Sequence, residues 1–187
     1  RSLSYKDLNV NLSDYFDGEE NLGLSVHSPE LFAGDHILDL CSSDPAHRNR
    51  SIRELQRVVE ITRELKRYFP KTKQPVIVVN AGGWNDKGFV TLDVKKEKYA
   101  LVSEALQQVD TQGVVIAIQT MPPFPWHFGG QSFHNLFVDA DEIVQFCSSN
   151  PDVKVCLDVS HSMMACNYYG WDLIEFISKV SLYNVHM

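Results

Sequence analysis

Val153-Lys154-Val155-Cys156-Leu157-Asp158-Val159-Ser160-His161 is a short apolar run that stops on a carboxylate, with a histidine three residues beyond it. Four other runs have the same form. Leu22–Val26 ends at His27, Val76–Val79 at Asn80, Val114–Ile118 at Gln119 and Tyr183–Val185 at His186. The runs are nearly continuous in apolar residues and show little alternation. Strands buried on both faces, as in a parallel sheet, read that way.

Helical patterns fill the intervals. Ile52, Leu55, Val58, Val59, Thr62, Leu65 and Phe69 recur at helical spacing, and Ser51 with Glu54 has the form of a capping box, so a helix is expected over 51–69. Leu101, Val102, Ala105, Leu106 and Val109 mark a second helix over 96–109, with Gly113 after it. Ile143, Val144, Phe146 and Cys147 mark a third over 139–149, capped by Asp139, and 171–180 is the last. Strand and helix alternating in this way imply a parallel α/β sheet with right-handed crossovers. Residues 1–21 read as a polar N-terminal segment and 22–187 as the domain.

Composition narrows the function. A length of 187 residues suits one domain, and 44% hydrophobic with 22% charged residues excludes a disordered or fibrous chain. No run of about 18 apolar residues is present, so no membrane span is expected. No secretory pattern opens the chain, which begins at Arg1 and leaves room for an upstream segment. Cys41, Cys147, Cys156 and Cys166 form no CxxC pair, and reduced thiols in a cytoplasmic protein are the expectation. The net charge is −7. A duplex-binding surface needs clustered cations. The basic residues concentrate in 48–73 and 87–98, where they read as solvated helix faces, so nucleic acid is not the expected partner.

The polar residues at the strand ends carry the chemistry. His27, Asn80, Gln119, Asp158 and His186 hold the same place in their βα units, and C-terminal strand ends converge on the ligand site in barrels and open sheets alike. Asp158 and His161 suit two ligands on one turn, and Asp158 with His186 on the next strand suits a divalent cation. Two loops are long, 28–50 and 120–138, which marks them as functional. In the second, Trp126, Phe128 and Phe133 suit stacking on an apolar ligand face, and His127, Gln131, His134 and Asn135 suit hydrogen bonding to its polar groups. Trp84 reads as a packing residue or a wall of the same bowl.

The pattern resembles the xylose isomerase-like TIM barrels, the superfamily of sugar isomerases and epimerases that also contains endonuclease IV. The resemblance rests on Val26-His27-Ser28-Pro29, on Leu38–Asp44 with Arg48, Arg50, Ser51 and Ile52, and on Val76–Gly83, Val115–Thr120, Val155–His161 and Val185-His186. It implies a (β/α)8 barrel, partial in this chain, with about five βα units. Two strands would precede Leu22 and another Glu ligand would follow Met187, so the chain reads as a piece of a longer barrel or of a multidomain protein. The resemblance implies a metal on Gln119, Asp158 and His186, which are also the catalytic set. The strand-end residues and the loop together give the expected substrate contacts: His27, Asn80 and His161, with Trp126, His127 and His134.

Two departures alter that chemistry. Asn80 stands where the family has a histidine, and Gln119 where it has a glutamate. A glutamine cannot take a proton as a glutamate does, and its carbonyl is a weaker ligand for a hard cation. The expectation is therefore a sugar or sugar-phosphate isomerase- or epimerase-like domain with an altered metal site. Its divalent ion (Mn, Zn or Mg) would be weakly bound. The rivals are a non-catalytic sugar-binding or regulatory barrel within a carbohydrate-metabolism enzyme, and an endonuclease IV-like hydrolase. Homo-oligomers or fusion to other domains are compatible with all three readings.

Overall fold

The computed structural model describes residues 11–18, 21–127 and 130–187, with the side chains of Trp126 and His127 left out. Five strands form one sheet: β1 (Ser25–His27), β2 (Val76–Val79), β3 (Val115–Gln119), β4 (Lys154–Cys156) and β5 (Asn184–His186). They lie side by side in chain order, every neighbouring pair parallel. Right-handed crossovers between successive neighbours place every connecting helix on one face and curl the sheet toward the other. The curl brings β5 back into contact with β2 and β3. The architecture is a parallel half-barrel, a partial TIM barrel.

Five helices cover the convex face: α1 (Pro45–Leu65), α2 (Leu92–Leu106), α3 (Ala140–Ser149), α4 (Val159–Tyr169) and α5 (Leu173–Val180). Ile52, Leu55, Val58 and Val59 of α1 pack in one core with Ile77, Val79, Ile116, Ile118 and Val155 of the sheet. The same core takes Val102 and Ala105 of α2, Ile143 and Phe146 of α3, and Phe176 and Val180 of α5. The concave face holds a separate small cluster of Val78, Ala117 and Cys156, with Val76 at its edge. The in-register ladders explain the division. Val78 pairs with Ala117 and Gln119 with Cys156, so one alternation of side chains faces inward on every strand.

Two helix starts differ from the sequence reading, and one helix is additional to it. The first helix starts at Pro45, not Ser51, because Asp44 accepts the Ala46 N–H at 2.9 Å and Pro45 needs no donor partner there. Ser51 is instead buried in mid-helix. Its hydroxyl accepts the Asp39 N–H at 3.0 Å and meets His36 Nε2 at 3.0 Å. The second helix runs 92–106, four residues earlier at its start than its apolar positions suggest. Helix α4 carries little signal of its own. Its buried residues are only Ser162, Ala165 and Cys166, and Met163, Met164 and Tyr168 face solvent, so no apolar stripe announces it.

The long loops are structured. In 28–50, Leu31–Phe32 pairs antiparallel with His36–Ile37 before α1 begins. After β3, Trp126–His127 pairs with Gly130–Gln131, and Phe133–His134 pairs with Trp84–Asn85 of the loop after β2. Asn135 ties these loops together. Its amide donates to the Gly83 carbonyl at 3.0 Å, and its side-chain oxygen accepts the Val90 N–H at 2.9 Å. Gly82 requires its lack of a side chain, since φ is +91° and a Cβ would lie 2.2 Å from Asp39 Oδ1.

Candidate functional site

Four of the five strand-end residues share one cavity. His27, Gln119, Asp158 and His186 line a recess of about 340 Å³ at the C-terminal mouth of the sheet, with Ser25, Ser160 and the concave-face residues Val78 and Cys156. The first and last strands reach the same recess because the sheet curls. The volume falls within the range of small-molecule sites.

Asp158 is the centre of the polar network. It is the N-cap of α4, and its Oδ1 accepts the His161 N–H at 2.9 Å and the Ser160 hydroxyl at 2.9 Å. Its Oδ2 accepts the Gln119 amide at 3.0 Å and lies 3.4 Å from His161 Nδ1. Burial alone would raise the pKa of this carboxyl. The His161 N–H, the Ser160 hydroxyl, the His161 ring and the Gln119 amide outweigh burial and hold it below the usual aspartate range. Thr120 fixes the strand end behind it, accepting the Asp158 N–H at 2.9 Å and meeting Ser162 Oγ at 3.0 Å.

The histidines are oriented by carbonyls. His161 Nδ1 lies 2.9 Å from the Thr120 carbonyl, which only accepts, so Nδ1 carries the proton of the neutral ring and Nε2 keeps its lone pair. His27 is held in the same way by the Ser28 carbonyl, 2.9 Å from its Nδ1. Cys156, below Asp158, is no nucleophile: burial and then the Asp158 charge push its thiol up to about 11.

Other candidates lie elsewhere. Asn80 is buried and outside the recess: its amide donates to Glu30 Oε1 at 3.0 Å, and its oxygen accepts the Gly82 N–H at 3.1 Å. His134 is 1% exposed in its ribbon, with Nδ1 on the Leu136 carbonyl at 3.1 Å and its ring facing Trp84. It therefore packs and does not line the recess. His161 stands behind Asp158 and is not in the recess lining. The side chains of Trp126, His127 and Phe128 lie outside the described residues. Phe133 contacts Phe89 and Phe124 and is not in the lining of the mouth recess. The sequence reading missed Ser160 and Thr120 as members of the network. Their signal is adjacency, since each stands within two residues of a strand-end polar group.

The chain matches the family described as xylose isomerase-like TIM barrel over residues 6–187. It belongs to that family. No curated protein matches this xylose isomerase-like chain by sequence. Its fold is shared with the 3-keto-D-glucoside 4-epimerase of E. coli at 15% identity and a TM-score of 0.56, covering 79% of this chain and 53% of that one. It is shared with an L-ribulose 3-epimerase at 16% identity and 0.55, covering 87% and 47%. It is also shared with the D-allulose 3-epimerase of Methylomonas sp., solved with D-allulose, at 13% identity and 0.54, covering 80% and 46%. The chain thus spans about half the length of these structures.

The donors at the mouth do not fit a resident divalent ion. The single carboxylate already takes three hydrogen-bond donors, and the Gln119 amide presents an N–H to it, not an oxygen to a cation. Among the described residues no three His, Cys, Asp or Glu side chains are grouped to hold a metal. Among them too, no helix is long and apolar enough to cross a membrane.

Proposed function

We propose that the mouth recess binds a polyhydroxylated sugar or sugar phosphate. In this reading the chain supplies the ligand-holding part of a sugar isomerase- or epimerase-like site with an altered metal set. The observation that carries it is the meeting of His27, Gln119, Asp158 and His186 on one recess of about 340 Å³. The family, and sugar epimerases among the structures that share its fold, support the same reading. Hydroxyl groups would be read by the Gln119 carbonyl, the His27 and His186 rings and the Ser160 hydroxyl. The ionised Asp158 would hold Gln119 in place and accept from any hydroxyl that displaces a present donor. A divalent ion, where one binds, is weakly held, and no proton transfer is assigned through it.

A second reading, a non-catalytic sugar-binding barrel within a larger protein, is favoured by the Gln119–Asp158 hydrogen bond. It puts an amide where acid–base chemistry needs a carboxylate. An endonuclease IV-like role is disfavoured by Asn80, Gln119 and the net charge of −7.

Saturation-transfer NMR of the chain with ketoses and their phosphate esters tests the binding reading. Saturation is expected in the wild type and should be lost in Gln119→Ala and His186→Ala. Signals that persist unchanged in both variants would place binding elsewhere and overturn it. Exchange in D2O of the carbon-bound proton beside the ketose carbonyl separates the two readings. Exchange supports the isomerase-like reading, and binding without exchange supports the binding barrel.

A further inference from the structure

We infer that the mouth selects an uncharged sugar over its phosphate ester and holds it without a metal ion. The inference rests on the reading of the recess as a sugar site. Three features of the recess carry it.

First, no Lys or Arg lines the recess among the described residues, and its one charged side chain is the Asp158 carboxylate. Lys154 stands one residue pair below Cys156 on β4, and it turns its ammonium to the Pro151 carbonyl at 2.7 Å. A phosphate dianion in the recess would meet like charge with no compensating cation.

Second, the usual phosphate anchor is closed. Helix α4 begins at this mouth, and a free helix N-terminus offers N–H groups and a positive dipole to phosphate. Here Asp158 itself occupies that position, accepting the His161 N–H at 2.9 Å and bringing a negative charge where phosphate would dock.

Third, the Gln119 amide takes the approach to Asp158 Oδ2 that a cation would need, at 3.0 Å. The amide partners the carboxylate without adding charge. Its own carbonyl and the histidine nitrogens remain for neutral hydroxyls.

Calorimetric titration of the 187-residue chain with D-allulose, L-ribulose and their terminal phosphate esters tests this, each in EDTA and each with Mn²⁺. A free ketose is expected to bind with the same Kd, within twofold, in both conditions. Its phosphate ester should bind at least tenfold more weakly. Gln119→Lys adds the missing cation and should narrow or invert that preference. Gln119→Glu should gain calorimetrically measurable Mn²⁺ binding in the absence of sugar. Tighter binding of the phosphate ester by the wild type, or loss of free-ketose binding in EDTA, overturns the inference and leaves the sugar-site reading standing. Binding of neither ketose nor ester overturns both.

Discussion

On its convex face the sheet sets Ile77, Val79, Ile116, Ile118 and Val155 against five helices, whereas on its concave face Val78, Ala117 and Cys156, with Val76 at the edge, form a small cluster beneath the polar mouth. The two faces use the same strands, in alternation. One is dense with branched side chains and buries most of the apolar surface. The other uses small side chains, which leave a recess, and each strand above it ends on a group that hydrogen-bonds. Stability and chemistry are thus separated by the two-residue period of the strand, and a substitution should affect one or the other according to the parity of its position.

The largest effect should come from the convex side. Leu55 is fully buried between α1 and the sheet. Leu55→Ala should cost about 2–5 kcal/mol, seen as a fall in the urea midpoint, with sugar binding retained at temperatures where the variant stays folded. Val78→Ala, on the concave face, should cost less, because its neighbours are small, and should alter binding more. Equal stability losses at the two positions would break the contrast.

The convex face is also the part that was legible in the sequence. Its apolar runs fix five strands and four helices, because burial on both sides leaves no polar interruption. The mouth was half legible. Gln119, Asp158 and His186 announce themselves by ending strands, and they do share a recess. Asn80 ends a strand in the same way, yet the turn at Gly82 draws its side chain to Glu30 and into the packing between loops. His134 looks like a hydroxyl ligand in a loop of aromatics, but the pairing of 133–134 with 84–85 buries it. Both depend on how two loops distant in sequence meet, which no local pattern records. Helix α4 escaped for a different reason: it lies at the surface with little to bury, so periodicity had nothing to mark.

The next effect is pH dependence away from the mouth. His36 is 4% exposed, and burial first, then the charges of His47 and Arg50, lower its pKa to about 4. Its Nε2 meets the Ser51 hydroxyl at 3.0 Å in a buried setting. The unfolded chain binds a proton at His36 below about 6.5 and the folded chain only below about 4. Between these values the unfolded state holds more protons, so stability falls as the solution is acidified. The loss should approach about 3 kcal/mol over that window, at about 1.4 kcal/mol per pH unit. Urea midpoints measured from pH 7 to 4 check this, and His36→Gln should flatten the profile. A wild-type profile that is already flat would mean that His36 is solvated.

A smaller effect separates cap from core on α1. Asp44→Ala removes the side-chain acceptor of the Ala46 N–H and should cost about 1 kcal/mol. Ser51→Ala removes the partner of both the Asp39 N–H and His36, two buried groups, and should cost about 1–3 kcal/mol. Denaturation midpoints should rank Ser51→Ala below Asp44→Ala. The reverse order would restore Ser51 to the capping role that its spacing to Glu54 suggests.

The smallest effect on stability should sit at the centre of the mouth. Asp158→Asn keeps an oxygen to cap α4 at the His161 N–H and to take the Ser160 hydroxyl. Its new amide would face the Gln119 amide, donor to donor, unless Gln119 turns its carbonyl inward, a rotation about its last side-chain bond. One hydrogen bond is then exchanged for another, and the net change should stay within about 1 kcal/mol. The acid limb should change more. Asp158 has a lowered pKa in the folded state, so it contributes stability above the unfolded aspartate value that is lost as pH falls through its folded one. The variant lacks that carboxyl and should lose less stability below pH 4. It also removes the negative side-chain charge of the recess, so discrimination against a phosphate ester should weaken, while free-sugar binding should weaken too, because the Gln119 carbonyl that reads its hydroxyls is turned toward the new amide. A variant that unfolds outright would show that the charge of Asp158 holds the concave face together, and that the two faces are less separable than the alternation of their side chains implies.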